Sequence, residues 1–355
     1  MTRKIKPFRV IGAMAAIALL ALVCAVASHG AEGAFQDEQG FVRCDPAKTV
    51  GAEACAKCHQ NEVNVWQTTP HFATFDSLHR KPEAKAIADK LGLRSVKRND
   101  VCTKCHYTCQ EEDGRERIVA GVSCESCHGG ARDWIDLHAD YGGPNVTKAM
   151  ESTEHRQQRL AASVAAGMNN PANLYLVARQ CLACHTSPDE KLVNVGGHAA
   201  GTKDFELVAW SQGMIHHNFL ASDGKSLVPS TPERLRVMFV VGVLADLEAS
   251  LRATAAATEK ATYGVTAAQR AAAQKKRLYQ IAELTDNPQI EAALAAALEV
   301  QLKLNNGPAL VVAAETISQA ALQFAATADG TTLAALDPLL PPPAAYNRQA
   351  TTGSR

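Results

Sequence analysis

The sequence predicts a mainly α-helical chain in two unlike parts. The first is loop-rich and gathered around a repeated cysteine motif; the second is an Ala-rich, helical, bundle-like region. Two observations predict this division. Four stretches read C-x-x-C-H: Cys55-Ala-Lys-Cys58-His59, Cys102-Thr-Lys-Cys105-His106, Cys124-Glu-Ser-Cys127-His128 and Cys181-Leu-Ala-Cys184-His185. From Thr231 onward the chain has neither Cys nor His, is rich in alanine, and repeats apolar residues at helical spacing.

C-x-x-C-H is the attachment signature of a c-type haem. Two thiols at this spacing each form a thioether to one vinyl group of the same porphyrin, and the following histidine supplies the proximal imidazole to iron. Zinc is the competing reading, because Cys102 to Cys127 fits a zinc-ribbon spacing. Zinc does not require a histidine directly after each pair, and all four pairs have one. The cofactor expected is therefore four covalently bound haem c groups. Cys55, Cys58, Cys102, Cys105, Cys124, Cys127, Cys181 and Cys184 attach them, and His59, His106, His128 and His185 are the proximal ligands.

Residues 1–27 read as a secretory signal peptide. Arg3, Lys4, Lys6 and Arg9 precede an apolar run from Val10 to about Ala27, and Ala25-Val26-Ala27 offers a cleavage site. Export to the periplasm is expected; an uncleaved anchor is the alternative, since the run is near the lower limit for a membrane span. Lysine and arginine (36) balance aspartate and glutamate (36), so loss of the basic leader leaves a net negative chain. That balance argues against nucleic acid and for a basic or mixed protein partner.

Residues 28–50 read as a short lead-in and 51–225 as the haem-binding domain, with turn signals at Glu111-Glu112-Asp113-Gly114, Gly142-Gly143-Pro144 and Asn169-Asn170-Pro171. In 226–337, Thr231-Pro232-Glu233 is an N-terminal helix signal. Helices are expected to about Thr258, from Thr266 to about Thr285, from Pro288 to about Leu304, and from Pro308 to about Thr327. Gly242 weakens the first of them, and Met238 and Phe239 read as core. Residues 338–355, with Pro341-Pro342-Pro343, read as a disordered tail. Aromatic content is low at 5%, and Trp66, Trp134 and Trp210 are expected to pack on porphyrin.

A second imidazole on an iron makes a six-coordinate haem suited to electron transfer, whereas an open face admits small ligands. Beyond the motifs, His29, His71, His79, His138, His155, His198, His216 and His217 are available. His79 and His155 lie in charged helical stretches and read as solvated; His29 is near the cleavage point.

Trp66-Gln-Thr-Thr-Pro-His71, Gly121-Val-Ser-Cys-Glu-Ser-Cys-His-Gly129 and Asp136-Leu137-His138, with the motif order and intervals, resemble the tetrahaem cytochrome c554 family over roughly residues 51–220. The resemblance implies a mainly α multihaem cytochrome c domain with long loops, periplasmic, carrying electrons between redox partners. It implies stacked haem pairs, three of the haems bis-histidine and the one at the second motif five-coordinate. Carried over by position, His71 would face His128 and His138 would face His185. The first haem, on His59, would take His217, His216 or His198; His217 is preferred, and only one of the adjacent pair can serve a given iron. His198, on Gly196-Gly197-His198, would ligate the second haem or the first.

The expected role is electron carriage rather than catalysis. The alternative is a reductase of a small nitrogen or sulfur oxyanion, using an open second haem with Tyr107, His198 and Arg115 nearby. A third reading makes the Ala-rich region a docking module. Cys44 and Cys109, outside the motifs in an oxidising compartment, are expected to form a disulfide.

Overall fold

A computed structural model describes residues 35–36 and 42–346; the leader and residues 347–355 lie outside the described residues. The chain is mainly helical, with two small antiparallel hairpins. β1 (Phe35–Gln36) pairs with β2 (Val42–Arg43), and β3 (Thr108–Glu112) pairs with β4 (Arg115–Ala120).

Short helices carry the motifs. α1 (Ala52–Trp66) holds the first, and its backbone leaves helical geometry at His59 before resuming. α2 (Pro70–Ser77) begins with His71 in its first turn, capped by Thr69, and α3 (Pro82–Lys90) follows. α4 (Asp100–His106), α5 (Cys124–His128) and α7 (Leu174–His185) each end on their motif histidine; α6 (Thr153–Ala165) lies between the last two. Caps define the starts: Asn99 accepts from the Cys102 N–H, Ser123 and Ser126 form a reciprocal box, and Asn173 accepts from the Tyr175 N–H. α8 (Glu190–Asn194) and α9 (Leu207–Ser211) complete this half.

The remainder is α10 (Pro232–Ala256), α11 (Thr262–Leu284), α12 (Pro288–Glu299) and α13 (Gly307–Thr327). α10 is the axis of the region: sixteen of its 25 residues are buried, Met238 and Phe239 among them, as befits a helix apolar on every side. α13 is long and apolar enough to cross a membrane by composition, but its Leu310, Ile317 and Phe324 are fully buried in the same cluster. α10 continues unbroken through Gly242, where a Cβ would come within 2.7 Å of the Leu207 Cβ; glycine there admits α9.

Two boundaries differ from expectation. The main apolar cluster does not stop near residue 225: Leu174, Tyr175, Ala178 and Leu182 of α7 belong to it, with Phe205, Leu207 and Val208. The helix bearing the fourth motif is thus part of the core of the Ala-rich region. Leu339, Leu340 and Tyr346, expected in a disordered tail, also pack on this cluster. A 3-10 segment, Thr331–Leu339, turns the chain back across α10, with Leu333 and Leu336 buried.

Candidate metal centres

The eight histidines singled out as ligands form four facing pairs. Ring centres lie 6.2 Å apart in His59–His138, His71–His185, His106–His198 and His128–His217. The spacing is too wide for contact between rings. A metal–imidazole bond of about 2.0 Å on each side, plus the radius of each ring, reproduces it. The residues therefore fit an iron between each pair.

The protonation states agree. Burial, then neighbouring histidines, pulls His106, His128 and His185 down to about 4, and burial also lowers His71 and His138. These rings are neutral near pH 7, the form that binds metal. The far side of several rings is anchored, which fixes tautomer and orientation. Nδ1 of His138 meets Ile135 O at 2.6 Å, that of His198 meets Ala199 O at 2.8 Å, and that of His217 meets Ile215 O at 2.6 Å. His185 Nδ1 is 2.9 Å from Thr202 Oγ1. Burial pushes the Cys127 thiol up to about 11 and Cys181 well above its ordinary value. Among the described residues, no group of three or more His, Cys, Asp or Glu is arranged to hold a metal by itself.

The membership of the four pairs corrects the carried-over assignments. His71 faces His185 rather than His128, His138 faces His59 rather than His185, and His217 faces His128 rather than His59. His198 faces His106, where the resemblance implied an open iron. The paths of the connecting loops explain these exchanges. The loop after the third motif folds back on the start of α1: Arg132 N–H donates to Lys48 O at 2.9 Å, and a Cβ on Gly130 would come within 2.8 Å of the Lys48 Cβ. His138 is thereby carried over the first motif. α2 is pinned beside α4 by Thr74 Oγ1, which donates to His106 O at 2.8 Å. At Gly196 a Cβ would come within 2.5 Å of Leu192 O and 3.2 Å of Ile87. That tight turn against α3 delivers His198 to His106.

Other expectations are also located. Trp134 lies edge-on to His138 and Trp210 edge-on to His185, at 5.2 Å each, and Phe205 stacks on His185 at 5.1 Å. Trp66 instead donates to Val122 O at 2.8 Å and meets Phe72. The buried Trp134 Nε1 has no acceptor among the described residues. His155, read as solvated, is 2.8 Å from Glu151 Oε1, and His79 has its Nδ1 covered. His29 lies outside the described residues. Cys44 Sγ is 3.3 Å from Thr49 Oγ1, and Thr49 O accepts from Gln110 at 3.0 Å. The lead-in therefore lies along β3, the strand that carries Cys109.

Three residues with no motif signal complete the sites. Glu125, between the third-motif cysteines, is buried, and its carboxylate accepts the N–H groups of Val50, Gly51 and Ala131 at 2.9 Å each. It ties the third motif to the helix of the first. Arg159 donates to His138 O at 2.7 Å while paired with Glu151. Arg270, on α11, donates to His185 O at 3.1 Å and to Thr202 O at 3.2 Å while paired with buried Asp246.

Comparison with known proteins bears on the motif region. Residues 54–129 match the family described as Cytochrome c554 and c-prime. A curated relative, cytochrome c-554 of Nitrosomonas europaea, is 30% identical over 100 residues, which cover 26% of this chain and 43% of the relative. The chain thus spans less than half the length of that relative. No solved structure matches. Over residues 54–129, the chain is similar to the cytochrome c554 family.

Proposed function

We propose that this chain is an exported, periplasmic tetrahaem cytochrome that passes electrons between redox partner proteins. One observation carries the reading: each C-x-x-C-H histidine faces a second histidine at the same 6.2 Å. Bound haem c supplies a one-electron ferric–ferrous couple. The chain's part is to hold two neutral imidazoles at each site, attach the group through paired cysteines, and keep the sites close. An open iron was the requirement of the reductase alternative, and His198 opposite His106 speaks against it. Export is supported by the basic and apolar leader of residues 1–27.

The adjacency of the sites supports a conduction order. Cys55 lies beside Cys124, and His128 lies near His59 and His138, so the first and third sites adjoin. Cys127 acts on Cys181, linking third to fourth. Cys105 lies beside Cys184, and His71 lies near His106, linking fourth to second. The order is first, third, fourth, second, so the terminal sites are the first and the second.

Two measurements on the oxidised holoprotein test this. A pyridine haemochrome assay should count four haems per chain, and electron paramagnetic resonance should show low-spin iron alone. His198→Ala should convert one iron in four to high spin. A count below four, or high-spin iron in the unaltered protein, would overturn the reading. The same reading includes the Cys44–Cys109 disulfide, supported by the contact of the lead-in with β3; non-reducing peptide mapping should recover the two cysteines in one cross-linked fragment.

A further inference from the structure

We infer that the second-motif end of the molecule is a docking surface for an acidic redox protein, built on α3 and its flanks. This rests on the tetrahaem reading, since it gives a partner to one terminus of the proposed order. Between residues 80 and 98 the chain carries seven basic residues, Arg80, Lys81, Lys85, Lys90, Arg94, Lys97 and Arg98, against the two acids Glu83 and Asp89. All of the basic residues except Lys97 are exposed. The density is local. The whole chain is balanced, and net charge alone points to a basic partner, so the surface at this end reverses the expectation drawn from composition.

Three contacts place this stretch over the second site. Ala88 on the inner face of α3 is buried with Val96 and Tyr107, and Cys102 of the second motif packs on the same cluster. Ile87 and Leu91 lie against Gly196, and Lys90 Nζ would be 3.2 Å from a Cβ on Gly197, beside His198. Lys97 Nζ lies 5.7 Å over the ring of Tyr107, the residue after His106. α3 therefore covers both histidines of the site, its basic side chains outward. Two acids nearby are engaged by other cations: Glu112 pairs with Arg117 at 2.9 Å, and Asp189 lies 3.8 Å from Lys104. At the first-motif end, Glu62 is 3.8 Å from His59, and the buried carboxylate of Glu125 adjoins Cys55.

The form of the patch selects the class of partner. The cations are spread over a convex helix and its flanks, which suits a broad acidic face and not a small anion in a pocket. No large hydrophobic side chain is exposed between residues 80 and 98, so nothing there inserts into a lipid surface. Rim charges of this kind raise association rates and lose effect in salt. In the transfer itself, one ferrous haem at this end is oxidised to ferric, and the one-electron acceptor of the partner is reduced.

Reduced holoprotein, its haem count established first, is mixed in stopped flow with hexacyanoferrate(III), an anionic one-electron oxidant, and separately with tris(phenanthroline)cobalt(III), a cationic one. At low salt, combined Lys81→Glu, Lys85→Glu, Lys90→Glu and Arg94→Glu should slow the anionic oxidant by roughly tenfold or more and leave the cationic one equal or faster; high salt should erase the difference. Poly-L-glutamate, a redox-silent acidic polypeptide, should bind the unaltered protein at low salt and compete with hexacyanoferrate(III). Lys85→Ala with Arg94→Ala, a milder pair of exposed changes, should shift both readouts in the same direction. An unchanged hexacyanoferrate(III) rate, an equal loss with both oxidants, or co-sedimentation of the protein with phosphatidylglycerol vesicles would overturn the inference. Poly-L-glutamate binding needs no electron transfer, so the surface is judged separately from the haem count.

Discussion

The two halves of the molecule bury their residues in opposite ways. α1 is 15 residues long and buries only Val63, and α2 buries none. α10 buries sixteen of 25. Both halves are helical, so the difference is not one of local propensity. Short helices without an apolar partner are marginal in water, and the first helices of the motif half have only a small cluster around Ala88, Val96 and Tyr107. The faces of this half carry cysteines and histidines at spacings that suit a large flat cofactor, whose faces, on the tetrahaem proposal, would take the place of a side-chain core. The Ala-rich half makes its core from side chains, its own together with those of α7 and Phe205, Leu207 and Val208.

The strongest way to break this comparison is to withhold the cofactor. Chain produced without haem attachment should lose ordered structure across residues 52–165 while α10–α13 stay folded. Hydrogen exchange with peptide resolution checks it. The expected outcome is near-complete loss of protection in α1–α6 and retained protection around Leu244, Leu278 and Ile317, all fully buried in the main cluster. Equal protection in both halves would end the view that the first half depends on its cofactor.

This division also explains what the sequence made legible. The proposed attachment sites are the most legible feature, because such chemistry is written in five consecutive residues. Helix starts could be read where a local cap sets them, as at Thr231-Pro232, whose side chain accepts from the Arg234 N–H. The second helix of the Ala-rich half begins at Thr262, not Thr266, because its start is set from afar: Asn194 Oδ1 accepts the Tyr263 N–H at 2.9 Å. The third ends at Glu299, short of Leu304, with Val300 extended and its carbonyl taken by Lys275. The eight histidines proposed as ligands fall into facing pairs, but three of the pairings differ from those the resemblance implied, because pairing depends on loop contacts such as Arg132 with Lys48. Arg270 and Asp246 carried no signal, being 24 residues apart on different helices.

That buried pair joins the halves and sharpens the comparison. Arg270 holds Asp246 from α11 and the backbone of His185 and Thr202 from the motif half. Arg270→Ala leaves Asp246 buried with only Gln274 and Ser250 as side-chain partners, and breaking such a pair typically costs about 3–5 kcal/mol. Urea unfolding followed by circular dichroism should show a loss of that order. The fourth site should register it as well, as a shift in one of the four low-spin iron signals. A loss confined to the bundle, with all four signals unmoved, would mean that the halves are not coupled through this residue.

A smaller effect is expected from a change wholly inside the Ala-rich half. Gly330 adopts φ +84°, and a Cβ there would come within 2.1 Å of the Glu233 carbonyl oxygen at the start of α10. Gly330→Ala should therefore destabilise by about 1–3 kcal/mol, measured by the same urea titration, and leave the iron signals unchanged. The contrast with Arg270→Ala separates bundle stability from coupling to the sites.

The least effect, and the most local, belongs to Glu151. Hydrogen bonding from Arg159, then from His155, lowers its carboxyl from the ordinary 4.5 to about 2. A carboxyl lowered by folding stabilises the folded state above its unfolded value, and that contribution disappears as pH falls through the folded one. The loss therefore lies between about pH 4.5 and about pH 2. Arg159 also donates to His138 O and stacks over Tyr141 at 4.8 Å, so the loosening should be felt at the first site before the bundle. Glu151→Gln removes the contribution at every pH. Its Soret band should change less than that of the unaltered protein across this window, while the helical signal of the Ala-rich half follows the same curve in both. If the two helical signals separate instead, Arg159 and Glu151 support the second half as well, and the boundary between the halves lies elsewhere.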